Sequence, residues 1–169
     1  MWDERYSGET YAYGTEPNDF LIEMSGQLPT GNILCLGEGE GRNAVWLAQQ
    51  GHEVTAVDAS SVGLKKAQRL ANSRGVQIKT VHADLSTFVV DSGTWDGVVS
   101  IFCHLPPGLR ADVHRRCVAG LRPGGVILLE AYTPRQLDYA TGGPPTFELM
   151  MDSETLRIEL AGLQFLHLR

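Results

Sequence analysis

The chain has 169 residues, a length typical of one domain. With 43% hydrophobic and 20% charged residues it has the composition of an ordinary globular protein, which excludes a disordered or fibrous chain. Its 14 Lys and Arg against 20 Asp and Glu give a net charge of −6, which argues against a protein that grips nucleic-acid backbone or anionic lipid. The chain has neither an apolar run of about 20 residues nor a signal core, so we expect a cytoplasmic protein whose cysteines stay reduced. The cysteines form no CxxC pair, and we expect no metal site.

Helix and strand signals alternate along the chain after a polar, aromatic stretch at residues 2–15, which predicts an arm. Residues 17–28 carry apolar side chains on one side and predict a helix that Pro17 begins. Apolar segments then predict strands at 32–36, 53–58, 77–82, 95–102 and 126–131, with helices at 42–50, 62–73 and 109–121 between them. This alternation predicts a Rossmann-like α/β fold with a doubly wound, mostly parallel sheet and helices on both faces.

The C-terminal residues predict a loop at 133–145, a helix at 152–161 and the beginning of another strand at 165–169. The 38 residues after Ala131 leave no room for a second strand to close the edge of the sheet. We therefore expect an incomplete C-terminal strand pair and a chain recorded only in part.

The strongest local signal is the sequence ILCLGEGEGRN at residues 33–43, in which a strand runs into closely spaced glycines and then a helix. Glycine permits a tight turn and lets a ligand approach the backbone. Arg42 and Asn43 follow Gly41, which excludes the phosphate loop G-x-x-x-x-G-K-[ST], and the spacing also departs from the dinucleotide fingerprint. Glu38 and Glu40 would repel a pyrophosphate and favour a ligand with positive charge. A turn without a ligand is the alternative.

Acidic residues also end the second and third predicted strands. Asp58 stands where a carboxylate can accept both hydroxyls of a ribose, with capping of the next helix as the alternative. Asp84 stands where it can accept from an adenine amino group. Because parallel sheets bind ligands outside the carboxyl ends of their strands, these residues together predict one nucleoside-like site.

The ordered set of residues 37–43, Asp58, Asp84, 95–96 and 121–125 resembles the motifs of class I S-adenosylmethionine (SAM)-dependent methyltransferases over residues 31–132. The arm sequences WDERY and GTEPN more particularly resemble the small tellurite-resistance and thiopurine-methyltransferase-like group. The resemblance implies a seven-stranded sheet, SAM as methyl donor with S-adenosylhomocysteine (SAH) as product, and a small-molecule acceptor, with a thiol or chalcogen compound favoured. It divides one domain into an N-terminal arm and helix (1–30), a SAM-binding core (31–132) and an acceptor side (133–169).

The chain departs from that superfamily at two positions. Cys35 stands where an acidic residue usually precedes the first glycine by two places, and Glu38 replaces a small residue. The acid that holds the methionine amino group is then Glu38 or Glu40. The expected cofactor-binding residues are Tyr13, Gly37, Glu38, Gly39, Arg42, Asn43, Asp58, Ala59, Asp84, Leu85 and Phe102.

His104 is the candidate catalytic base, because a neutral imidazole can take a proton from a thiol, hydroxyl or amine; a histidine that caps the next helix is the alternative. The expected acceptor-side residues are Tyr11, Tyr132 and Arg135. Tyr11 and Tyr13 could close over the donor with their ring faces toward its sulfonium, or simply anchor the arm by packing. Arg135 could meet an anionic acceptor, or lie in a solvated loop.

Two other functions stay open at this point. One is a SAM-binding module without activity, and the other, less favoured, is an NAD(P)-dependent oxidoreductase, which the missing third glycine of the fingerprint weakens. Leu105 and Gly108 flank the two prolines at 106–107, unlike the motif of DNA amino-methyltransferases, which again argues against a nucleic-acid substrate. The oligomeric state is left open.

Overall fold

In a computed structural model, residues 2–139 and 142–169 are described, and they build one parallel sheet. Its five strands lie in the order β3-β2-β1-β4-β5 within this part of the chain. The strands are β1 (Asn32–Leu36), β2 (Glu53–Asp58), β3 (Lys79–His82), β4 (Trp95–Ile101) and β5 (Leu121–Glu130). The fold prediction is confirmed, and every pairing is parallel.

The order of the strands reverses at β1, which pairs with β2 on one side and β4 on the other. Leu34, for example, lies opposite Thr55 of β2 and Val98 of β4. The chain leaving β1 therefore enters a helix on one face of the sheet, and the chain leaving β4 enters a helix on the other. Sheets of this kind bind ligands at the edge between these two strand ends, which is called the crevice below. β5 begins at Leu121, earlier than predicted, because Leu121 pairs with Trp95 before an irregularity in register, after which Val126 pairs with Gly97.

Helices cover both faces of the sheet, as predicted. The helices are α1 (Trp2–Arg5), α2 (Asp19–Met24), α3 (Arg42–Gln49), α4 (Ser61–Ser73), α5 (Pro107–Gly120), α6 (Gln136–Tyr139) and α7 (Ser153–Glu159), with 3-10 turns at Ser25–Gln27 and Phe147–Leu149. Alternate strand residues divide between the faces: Cys35 and Val99 pack with α2, α3 and α4, while Leu34 and Val98 pack with α5. None of these helices is long and apolar enough to cross a membrane, within the described residues.

The first predicted helix is shorter than expected and begins later. Asn18 is its N-cap, and its side chain accepts a hydrogen bond from the Leu21 amide at 2.9 Å, so Pro17 lies before the helix rather than in its first turn. The helix ends at Met24 and passes into a 3-10 turn.

The strand predicted at 165–169 does not form, and this prediction is wrong. The residues instead lie beside α2, where the His167 ring is 6.4 Å from the Phe20 ring and Arg169 pairs with Glu23 at 3.0 Å. These contacts direct the segment toward a helix rather than toward the edge of β5. The loop predicted at 133–145 also contains the short helix α6.

Candidate functional site

The glycine loop between β1 and α3 is held by close contacts that leave no room for side chains. Gly37, Gly39 and Gly41 have φ angles of 57°, 63° and 91°, a region that favours glycine. A Cβ on Gly39 would lie 2.6 Å from the Tyr6 hydroxyl, and one on Gly37 would lie 2.9 Å from the Cys103 sulfur. The glycines therefore let Tyr6 and Cys103 approach the loop backbone more closely than any side chain would allow.

Asp58 lies at the end of β2, beside the glycine loop, and is only 7% exposed. One carboxylate oxygen accepts from the Gly39 amide at 2.8 Å and the other from the Ser60 amide at 2.7 Å. Burial raises the pKa of this carboxyl. The next helix has Ser60 as its N-cap, since its hydroxyl accepts from the Gly63 amide, so Asp58 is free of that role.

Glu38 and Glu40, two places apart in the glycine loop, have different surroundings. Glu38 precedes α3 in the chain and satisfies amides of its first turn: Oε1 accepts from the amides of Asn43 at 3.0 Å and Ala44 at 2.8 Å. Burial raises the pKa of Glu38 to about 7, although these amides act in the opposite direction. Glu40 is buried in an ion pair with Lys66 at 2.5 Å, which occupies the carboxylate.

Aromatic rings gather at the carboxyl ends of β4 and β5. Tyr132 stacks on Phe102 with 4.7 Å between ring centroids and on His104 with 5.5 Å. Phe102 has a φ of 53°, which is rare for a bulky residue, and its amide donates to the Glu130 carbonyl at 2.8 Å. The turn after β4 thus holds Phe102 in a strained conformation that brings its ring against Tyr132.

Both ring nitrogens of His104 have backbone partners. Nδ1 lies 2.8 Å from the Leu149 carbonyl oxygen and must donate there, so in the neutral ring Nε2 is the acceptor. The Tyr132 amide donates to Nε2 over a long 3.4 Å. Burial lowers the pKa of His104, which favours the neutral ring with Nε2 unprotonated. His104 does not cap α5, whose N-cap is Pro106.

The remaining predicted cofactor residues differ in burial and in hydrogen-bond partners. Leu85 is buried after β3, whereas Asp84 is exposed and accepts from the Ser86 amide at 2.8 Å. Ala59 is exposed beside Asp58, and its carbonyl oxygen lies 3.0 Å from a ring nitrogen of His82. Arg42 reaches the carbonyl of Tyr13 at 3.5 Å.

The other predicted arm and acceptor residues are not gathered at the crevice. The Tyr13 hydroxyl accepts from Arg5 at 2.9 Å, and its side chain is 48% exposed. Tyr11 donates from its hydroxyl to the Lys66 carbonyl at 3.2 Å and packs on the core. Arg135 is exposed beyond β5.

Sequence reasoning missed a hydrogen-bonded chain that links the glycine loop to the end of β5. The Asn43 side chain accepts from the Asn18 amide at 2.9 Å, and the Asn18 side-chain amide donates to Glu130 at 2.7 Å. Since the Asn43 amide also donates to Glu38, the two ends of the crevice are joined through α2. The one signal in the sequence is Glu130 itself, a charge that ends an apolar strand.

Tyr6 was also missed, and it is the arm aromatic that lies on the glycine loop. It is 5% exposed, and its ring contacts Gly39 and Gly63. Burial and the nearby Asp58 raise the pKa of its hydroxyl. No sequence pattern distinguishes Tyr6 from the arm tyrosines Tyr11 and Tyr13.

The residues present fit a nucleoside with a cationic tail. The glycine loop, a carboxylate ending the neighbouring strand and a second carboxylate at Glu38 lie along one edge of the sheet, and stacked rings follow at β4 and β5. Opposite charge on the ligand would compensate the acidic groups, which a pyrophosphate could not do.

Comparison with known proteins agrees with this geometry. A model of the methyltransferase domain family matches residues 33–125, and the chain therefore belongs to that family. A 2-heptyl-1-hydroxyquinolin-4(1H)-one methyltransferase of Mycobacteroides abscessus is 30% identical over 136 residues, with 73% of this chain and 60% of that protein covered. A thiopurine S-methyltransferase of Bordetella petrii is 31% identical over 147 residues, covering 84% and 64%. A tRNA 5-carboxymethoxyuridine methyltransferase of Escherichia coli is 29% identical over 126 residues, covering 67% and 48%.

Solved structures share the fold. The structure titled "Conversion of a Disulfide Bond into a Thioacetal Group during Echinomycin Biosynthesis" has a TM-score of 0.76 at 21% identity, covering 95% of this chain and 73% of that one. The glycopeptide N-methyltransferase MtfA, solved with SAM, has a TM-score of 0.56 at 25% identity, covering 70% and 51%.

Membership in the methyltransferase domain family supports SAM as the cofactor and a SAM-dependent methyltransferase as the class of enzyme. The chain spans about 60% of the length of the first two curated relatives and about half of the third. The narrower resemblance to the tellurite-resistance and thiopurine-methyltransferase-like group has the thiopurine S-methyltransferase relative as its support and stays a prediction.

Proposed function

We propose that the protein transfers a methyl group from SAM to a small-molecule acceptor. The observation that carries this proposal is the placement, along one edge of the sheet, of the glycine loop, the Asp58 carboxylate and the stacked rings of Phe102 and Tyr132. A donor lying across β1 would have its nucleoside toward β2 and its methionine part toward β4. The acceptor would then stand at the end of β5.

Asp58 would hold the ribose, and Glu38 the methionine amino group. Each Asp58 oxygen accepts one backbone amide and retains lone pairs for a ribose hydroxyl. Of the two candidate acids, we favour Glu38, because Glu40 is already paired with Lys66. Asp84 and Leu85 would frame the adenine.

Bound SAM supplies a methyl group on a sulfonium with a good neutral leaving group, so the protein's work is mainly alignment and exclusion of water. Phe102 and Tyr132 would wall the methyl-transfer site with ring faces, which attract a sulfonium. For an acceptor that must lose a proton, His104 would take it on Nε2, whose contact with the Tyr132 amide is long.

The acceptor we propose is a small thiol or chalcogen compound. A stacked aromatic wall suits a soft, polarisable atom or a planar ring, and the named acceptors of two relatives, a hydroxyquinolone and a thiopurine, are planar heterocycles. The net charge of −6 disfavours nucleic acid as the acceptor, although the relatives include tRNA and ribosomal RNA methyltransferases.

Isothermal titration with SAM and then SAH tests the cofactor placement. We expect binding of both by the wild type and a loss of about 10- to 100-fold in SAH affinity for Asp58→Ala, since a buried charged hydrogen-bond partner disappears. Asp91→Ala, at an exposed turn, is the matched control and should bind as the wild type does. Unchanged affinity in Asp58→Ala refutes the ribose placement.

Turnover separates the enzyme from a binding module without activity. SAH formation is measured with thiophenol, 6-mercaptopurine, a hydroxyquinolone, selenite and tellurite as acceptors. SAH produced with any of these compounds supports transfer to a small molecule. Turnover of a thiol, selenite or tellurite supports the thiol or chalcogen acceptor, and turnover of the hydroxyquinolone alone contradicts it. Tight SAM binding with no SAH from any acceptor favours the binding module.

A further inference from the structure

Lys66 is a buried cation in the middle of α4, and its partners come mainly from the N-terminal arm. Its side chain is 6% exposed, on the helix face that also carries Gly63 and Leu70. The ammonium nitrogen donates to the carbonyl oxygens of Thr10 at 2.7 Å and Gly8 at 2.9 Å. The Tyr6 carbonyl lies within 3.3 Å. One buried side chain thus donates hydrogen bonds to the backbone of several arm residues.

Glu40 completes the attachment from the glycine loop. Its Oε1 lies 2.5 Å from the Lys66 nitrogen, and its Oε2 accepts from the Ala12 amide at 2.7 Å. The Tyr11 ring centroid lies 5.0 Å from the same nitrogen. Residues 6–12 therefore wrap around one buried ion pair, half of which belongs to the loop that the ligand contacts.

Held in this way, the arm lies over the Asp58 end of the crevice. The Tyr6 hydroxyl rests against Gly39, and the Asp3 carboxylate accepts from the Ser60 hydroxyl at 2.5 Å and the Val62 amide at 3.3 Å. The rest of the arm is weakly attached, because α1 buries no residue and most of residues 2–10 are exposed. The ion pair, together with the buried Tyr6 ring, thus anchors the arm to the interior.

We propose that Lys66 is a positioning residue for the cofactor site: paired with Glu40, it fastens residues 2–13 over the glycine loop and limits the rate at which the cofactor leaves. The inference rests on the proposed placement of the ribose at Asp58. Opening the arm strips the ammonium of its carbonyl acceptors while it stays in the core, and such a group is costly to leave unpaired. The arm is therefore closed most of the time, and cofactor exchange waits for its opening.

The test compares the double variant Lys66→Met, Glu40→Gln with the wild type. The methionine keeps the length of the side chain, the glutamine still accepts from Ala12, and no unpaired charge is left in the core. Lys65→Met is the matched control, since Lys65 is the exposed neighbour on the same helix. Two quantities are measured: trypsin cleavage after Arg5 in the cofactor-free protein, by mass spectrometry, and the SAH dissociation rate, by stopped-flow fluorescence.

We expect the double variant to be cut faster at Arg5 and to release SAH about tenfold faster or more, the range expected for lost hydrogen bonds to a charged group. Lys65→Met should match the wild type in both. Rates within about twofold of the wild type in the folded double variant overturn the proposal, as does tighter SAH binding, which would mean that the arm competes with the ligand.

A variant at the surface keeps the proposal testable if the double variant does not fold. Asp3→Ala removes the contacts to Ser60 and Val62 without touching the core, and should accelerate cleavage and SAH release in the same direction. No acceleration of either overturns the role of the arm. Asp58→Ala separates the two proposals: weaker SAH binding with an arm still protected from trypsin supports both, and unchanged binding rejects the ribose placement while the cleavage result stands.

Discussion

Replacing Glu38 by Gln should stabilise the free protein while weakening its cofactor binding. Glutamine keeps an oxygen that accepts the amides of Asn43 and Ala44 but removes the charge. In the folded protein burial raises the pKa of Glu38 to about 7, from an ordinary value of 4.5. The folded state therefore holds a proton on Glu38 that the unfolded state releases between these two values.

The sign of the pH dependence follows from this difference. A carboxyl whose pKa is raised on folding contributes stability below its unfolded pKa, and that contribution is lost as pH rises through the folded pKa. At 1.36 kcal/mol per pKa unit, the loss for Glu38 reaches about 3 kcal/mol on going from about pH 4.5 to above about pH 7. Glu38→Gln does not titrate, so its advantage over the wild type should be small at about pH 5 and largest at about pH 8.

Urea unfolding of wild type and Glu38→Gln at about pH 5 and about pH 8 measures this difference, with the exposed Glu53→Gln as control. SAH titration at about pH 8 should give the opposite order, because there the wild type has a charged carboxylate that pairs with the ligand's ammonium and the glutamine has none. The reasoning is refuted if the stability of Glu38→Gln relative to the wild type does not rise with pH.

Two further predictions concern the packing around the site. Glu159→Ala should lower the free energy of unfolding by about 3–5 kcal/mol, because Arg110, 4% exposed, and His114 lose their shared buried partner; the exposed Glu154→Ala should cost little in the same urea titration. Asn18→Ala removes the cap of α2 and the contact to Glu130, so it should cost about 1 kcal/mol and lower methyl transfer more than SAH affinity. A turnover number equal to that of Asn72→Ala, an exposed control, would show that the chain of hydrogen bonds to β5 is dispensable.

The elements that sequence reasoning located well are those defined by local signals. Local sequence alone predicts the strand at 32–36, the glycine turn at 37–41 and Asp58 at the end of the next strand. Apolar runs require burial, and positive φ angles favour glycine. The same reasoning was wrong at 165–169, where an alternating pattern could serve a strand or a packed tail. Contact with α2 decided between them, and that contact joins residues far apart in the chain.

The sequence by itself determined the class of fold and predicted the edge of the sheet that we propose for the ligand. Only the tertiary structure decided how similar residues are used: Glu40 rather than Glu38 pairs with Lys66, and Tyr6 rather than Tyr13 covers the glycine loop. Lys66 is the clearest case. From sequence a single lysine in a helix is expected to be solvated, whereas in the structure the arm and Glu40 bury it. Charges and rings acquire their roles from partners 28 to 60 positions away, and the local spacing of residues does not predict those partners.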